Sequence, residues 1–134
     1  KTQLVNTLQN SQNYTLEVAE AIPENAYRFK PAEEVFNFGE LINHIAYGIL
    51  WWNDNYIKQT ETPWNPGPAK NSKEETIAYL KQSYNTLRKT LDNGGLSDEQ
   101  RNGFHATLDH ITHHRGQATT YLRDNGITPP EYTY

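Results

Sequence analysis

The 134-residue sequence predicts an all-α protein, one four-helix-bundle domain spanning residues 1–134. Three observations carry that expectation. Apolar residues recur at helical intervals in four separate segments, prolines and glycines gather between those segments, and no stretch alternates apolar with polar residues as a half-buried strand would. Three Trp, nine Tyr and four Phe supply bulk for a core even though the mean hydropathy is −0.89.

Leu4, Val5, Leu8, Leu16, Ala19 and Ile22 place a first helix over about residues 2–21, ended by Pro23. After the loop "PENAYRFKPAEEV", Phe38, Leu41, Ile42, Ile45, Ala46, Ile49, Trp52, Tyr56 and Ile57 form a broad apolar stripe. It predicts a second helix running to about Thr60. "ETPWNPGPAKN" holds three prolines and a glycine, which exclude regular structure. This loop is long enough to cross the bundle, so an up-and-down topology and one with a long crossover both stay open.

Ser72 and Glu75 match a capping box, and Ile77, Leu80, Tyr84, Leu87 and Leu91 step by three and four until "DNGG" ends the third helix. Ser97 and Gln100 predict another short turn. The last helix is expected over about Phe104 to Asp124, with Leu108, Ile111, Ala118 and Leu122 on one side and a stop at "NGITPP". The tail "EYTY" is expected to pack loosely or extend.

Composition narrows the function. With no Cys, the chain has no disulfide, thiolate ligand or cysteine nucleophile, so a metal must be held by His, Asp, Glu or backbone oxygen. A net charge of −4 and a pI near 5.7 argue against a nucleic-acid partner, which calls for a basic face. No apolar run is long enough for a membrane span, and "KTQLVNTLQNSQ" is too polar for a secretory signal. The expected compartment is the cytoplasm.

The chain has five histidines, and three of them, His110, His113 and His114, fall in "LDHITHHRGQATTYLR". On a helix, His110 and His114 lie about 40° apart and stack one turn above the other, so they can reach one ion. Gln117 and Tyr121 continue their stripe, His113 turns to the other side of His110, and His105 falls well off it. The stripe sits at the margin of the apolar side, partly facing the interior, where polar groups need partners. His44, in "FGELINHIAYGILWW", stands among Leu41, Ile45 and Ile49, where an unpaired imidazole is costly to bury.

Each of these residues also has a plainer explanation. A lone His on an apolar face is commonly satisfied by a backbone carbonyl, and HxxxH pairs arise by chance. "WWNDNYI" and Tyr84 read most simply as core and interface packing. "PAEEV" and "NSKEET" read as solvated helix starts whose carboxylates suit the helix dipole.

"HITHHRGQ" with its trailing "YLRDNGITPP", together with "FKPAEEVFNFGELINHIA", resembles the DinB family of DinB/YfiT-like metalloenzymes related to bacterial thiol transferases. The resemblance runs from about Leu16 to Pro130. It implies a four-helix bundle in which one His of the second helix and two of the last, spaced HxxxH, hold a divalent metal. Here these are His44, His110 and His114. It also implies a homodimer, and no DNA binding despite the family's name. The chain is somewhat shorter than the family pattern, chiefly between the third and fourth helices.

The expectation that follows is a metal-dependent transferase moving a low-molecular-weight thiol onto an electrophilic small molecule, with Zn, Ni or Fe as the ion. Three neutral imidazoles leave positions open for a thiol or water. With water the same site makes a hydrolase. A non-catalytic sensor or interaction module is the contrasting expectation, favoured by closed coordination. Tyr47 is a candidate pocket residue, and Asp109 and Glu40 are candidates to orient a ligand imidazole. Because ligand imidazoles must be neutral, metal affinity is expected to fall as pH drops through the ordinary histidine value near 6.5.

Overall fold

The structure, a computed structural model, describes residues 2–132. Four helices account for most of them: α1 Thr2–Ala21, α2 Phe38–Trp52, α3 Lys73–Asp92 and α4 Asp98–Asp124. A short 3₁₀ turn, Glu24–Ala26, follows α1, and α2 continues into a π-helical turn, Asn53–Ile57. Among the described residues there is no strand.

Local chemistry sets the helix starts. The Asn37 side chain accepts from the Glu40 amide at 2.7 Å while the Glu40 carboxylate accepts from the Asn37 amide at 2.8 Å, a capping box that begins α2. Ser72 caps α3 in the expected place, accepting from the Glu75 amide. Ser97 and Gln100 form a second reciprocal box, and it starts α4 itself. The separate turn expected there is therefore the first turn of a 27-residue helix that begins six residues earlier than Phe104. At the other end of α3, helix stops at Asp92 and Gly94 takes φ 138°, a conformation open to glycine.

The packing order is unlike a simple up-and-down bundle. α1 packs on α3 and α4, and α2 packs on α3 and α4. Lys73 at the start of α3 donates to the Glu20 and Ile22 carbonyls at the end of α1, so those two helices are antiparallel. Gln100 at the start of α4 donates to the Ile57 carbonyl, and Tyr121 near its end donates to the Phe36 carbonyl, so α4 is antiparallel to α2. Asn43 accepts from the Lys70 amide beside the start of α3, which sets α2 and α3 in the same direction. The helices run up, down, down, up, and the chain between Ile57 and Lys73 returns along the length of the bundle. Of the two topologies left open by the sequence, the long crossover is the one formed.

The core is where the stripes meet: Leu8 and Val18 of α1 with Ile22 just beyond it, Leu41, Ile45 and Ile49 of α2, Leu80, Tyr84 and Leu87 of α3, and Phe104, Ile111 and Leu122 of α4 are all fully or almost fully buried. Tyr84 is core, as its spacing predicts, and its buried hydroxyl pairs with Ser11 and Thr15. Arg115 is buried on the far side of α4, donating to the Thr15 hydroxyl and lying over the Tyr14 ring. No helix among the described residues is long and apolar enough to cross a membrane.

Candidate metal centre

The seam between α2 and α4 carries the histidines. Because the helices are antiparallel, one turn along α2 pairs with one turn back along α4, and His44 meets His114 while Gly48 meets His110. The three ring centroids lie 4.4 Å (His44–His114), 4.6 Å (His110–His114) and 5.2 Å (His44–His110) apart. The structure thus brings together the three residues that the family resemblance implies. One nitrogen from each lies within 4.8 Å of the others, and no Asp, Glu or fourth His joins the group among the described residues.

The geometry suits an ion. The Nε2 atoms of His44 and His114 are 3.0 Å apart, a separation that a cation about 2.1 Å from each would bridge. Without a cation, one ring must donate to the other in that contact. The buried Nδ1 atoms of His110 and His114 have no hydrogen-bond partner. Buried imidazole nitrogens without partners are costly, and a cation relieves only the ring nitrogen that it binds; His114, which faces His44 through Nε2, would then carry its proton on Nδ1.

Electrostatics keep the rings neutral. Burial, then repulsion from the neighbouring histidines, lowers His44 and His110 from the ordinary 6.5 to about 4. Burial also lowers His114, partly offset by the nearby Gln117 side chain. Protons therefore compete for the lone pairs of His44 and His110 at lower pH than the ordinary 6.5.

The residues around the trio have separate tasks. Phe36 packs at 5.2 Å and Trp64 at 5.5 Å from the His44 ring, and Trp52 at 6.0 Å from His110. The returning chain supplies Trp64 and is fastened to α2 and the π turn. Trp51 Nε1 donates to the Thr62 carbonyl, Asn55 exchanges hydrogen bonds with Thr62, and Tyr47 Oη accepts from the Asn65 amide at 2.8 Å. Tyr47 therefore holds the segment that carries Trp64 and packs on the Trp64 ring at 4.8 Å. Gln117 donates to Tyr121 Oη, which donates to the Phe36 carbonyl at 2.7 Å, so the lower half of the histidine stripe holds Phe36 in place.

Two candidates do not orient a ligand. Glu40 is consumed by the α2 capping box, and Asp109 is exposed and makes no hydrogen bond to a ligand imidazole among the described residues. His113 is exposed beside His114, at 4.8 Å between rings, and His105 is exposed further back. Sequence reasoning missed Gly48. A Cβ there would fall on the His110 ring, so the missing side chain is the cradle in which that imidazole lies. The available signal was a glycine in mid-helix one turn from His44, where it costs about 1 kcal/mol relative to Ala.

Comparison with known proteins bears on this arrangement. The DinB superfamily profile matches residues 7–118, and the DinB family profile matches residues 104–134. An uncharacterized Bacillus subtilis protein, YjoA, is 30% identical over 141 residues, covering 94% of this chain and 91% of its own. The crystal structure of a DinB-like protein from Bacillus cereus superposes with a TM-score of 0.78 at 15% identity, covering 97% of this chain and 95% of that one. That of YjoA itself superposes with a TM-score of 0.74 at 23% identity, covering 97% and 96%.

Proposed function

The chain belongs to the DinB superfamily, and from that premise we propose that it is a metal-dependent transferase that moves a low-molecular-weight thiol onto an electrophilic small molecule. The observation that carries the reading is the convergence of His44, His110 and His114 with no further protein ligand in the group among the described residues. Structural sites fill their coordination with protein groups, whereas catalytic ones leave room for substrate.

A divalent ion in this trio would lower the pKa of a thiol entering an open position. The rest falls to the protein. Neutral rings at His44 and His110 present lone pairs at physiological pH, Gly48 gives His110 its place, and Phe36 and Trp64 screen His44 from bulk water. With no Cys in the chain, the sulfur arrives as substrate. In the reaction the thiol proton passes to solvent, the sulfur forms a bond to the electrophilic carbon, and the leaving group departs with the bonding electron pair. Zn, Ni and Fe all suit imidazole ligands. We place the protein in the cytoplasm as a homodimer on the family pattern.

The test is metal analysis of protein purified without a His tag or added metal, followed by a thiol-conjugation screen with a chromogenic aryl halide. About one ion per chain and conjugation that chelator abolishes support the reading. Retained metal with no conjugation to any thiol would leave a non-catalytic metal bundle, and ester hydrolysis in its place would make water the nucleophile. Absence of bound metal overturns the site.

A further inference from the structure

Beyond the histidines, the α2/α4 seam continues for two turns into a cavity of about 740 Å³. Along α4 the stripe runs Gly103, Ala106, His110, His114; along α2 it runs His44, Gly48, Trp52 and on to Tyr56. Gly103, Ala106, Trp52 and Tyr56 all line the cavity, and Trp52 also packs on His110. The cavity and the histidine site are therefore neighbouring parts of one seam, sharing one wall.

We propose that this cavity binds the acceptor substrate of the histidine site, and that the acceptor is an organic cation with an apolar body. This rests on the transferase reading only for calling the occupant a substrate; the binding site stands on its own lining. Trp51, Trp52 and Tyr56 supply aromatic surface, with Tyr56 46% exposed and its ring tilted 4.6 Å from Trp52. Aromatic faces attract cations. The ionisable groups lining the cavity besides Tyr56 are the carboxylates Glu61 and Glu99; no Lys or Arg lines it, and neither carboxylate is in an ion pair among the described residues. Among the charged groups of the lining an anionic acceptor would meet only repulsion, since Asn55, Gln59 and Asn102 are neutral amides.

The wall is also held in shape. Trp51 is tied through its indole N–H, and Asn55 grips Thr62. Two departures from ordinary backbone border the cavity: the π turn Asn53–Ile57 contributes Asn55 and Tyr56, and Gln59 adopts φ 59° without being glycine. Backbone of this kind costs about 1–3 kcal/mol and persists where the surroundings enforce it, often at ligand sites.

All three Trp of the chain lie along this seam, so intrinsic fluorescence reports on it. The metal-loaded protein is titrated with 2-phenylethylammonium, 2-phenylethanol and 3-phenylpropionate, which share one apolar body and differ in charge. The cation should bind at least tenfold more tightly than the carboxylate, with the alcohol between. E61Q/E99Q should weaken the cation several-fold while leaving the alcohol unchanged, and Trp52→Ala should weaken both. Asn102→Arg, at an exposed lining position, should abolish cation binding without threatening the fold. Repeating the titration after chelation separates the two ideas: the cation should still bind metal-free protein. Carboxylate binding as tight as that of the cation, or cation binding indifferent to both Asn102→Arg and E61Q/E99Q, overturns the proposal even if the metal site is real. If no metal binds but the charge preference holds, only the transferase reading falls.

Discussion

His110 and His113 are both on α4 and only three residues apart, yet 60° of helix separates a ring held against Gly48 from one left in solvent. Replacing His44, His110 or His114 by Ala removes one of the three proposed protein ligands, so metal content per chain after dialysis should collapse. His113→Ala should keep the ion and weaken it by at most 10 to 100-fold, the range for a group that only touches a ligand. If His113→Ala empties the site and His114→Ala does not, the ligand set is wrong. Gly48→Ala probes the cradle: the new methyl overlaps the His110 ring, so apparent metal affinity should fall at least tenfold. Overpacking costs about 1–3 kcal/mol and helix propensity returns about 1. Unchanged metal affinity in Gly48→Ala would mean that His110 can move away without leaving the ion. His110 and His114 were legible in the sequence because i, i+4 spacing is a property of one helix, while His44 stood out by its apolar surroundings and joined them only through the family resemblance. Gly48, Phe36 and Trp64 were not, because their roles depend on the register between α2, α4 and a loop.

At the scale of elements, the sequence placed four helices and misjudged the start of the last. Glycine weakens a helix interior, so Gly103 gives no sign that a helix passes through it, whereas Ser97 with Gln100 reads as a separate short turn. In the fold Gly103 is buried against the Tyr56 backbone, where any Cβ would collide with the carbonyl, so the glycine is kept for packing and α4 runs through it. Gly103→Ala should therefore destabilise by about 1–3 kcal/mol despite the better helix former, because backbone yields less than a side chain. Ser97→Ala removes the cap that starts α4 and should cost about 1 kcal/mol. Thermal melts of the two variants check both, and a Gly103→Ala protein as stable as the parent would show that the π turn is free to shift.

For the whole molecule, topology was the least legible property: composition permits residues 58–72 to be a hairpin or a crossover, and contacts such as Lys73 with the end of α1 decide it. That crossover carries Trp64 to His44 and helps bury a site whose ionisation is coupled to folding. In the unfolded chain His44 and His110 protonate near 6.5, but in the fold they stay neutral down to about 4. Between those values the unfolded state binds more protons, so the metal-free protein should lose stability as pH falls from 6.5 toward 4. The loss should level off below about 4, and above 6.5 the two residues contribute no pH dependence. Metal binding needs the neutral rings that the folded state already holds, so the rise in Tm produced by metal should persist at pH 5.5 and vanish toward pH 4. Melts with metal and with chelator at pH 7.5, 5.5 and 4 measure the difference. A gap already closed at pH 5.5 would mean that the imidazoles titrate as exposed groups and that the seam around them is open to water.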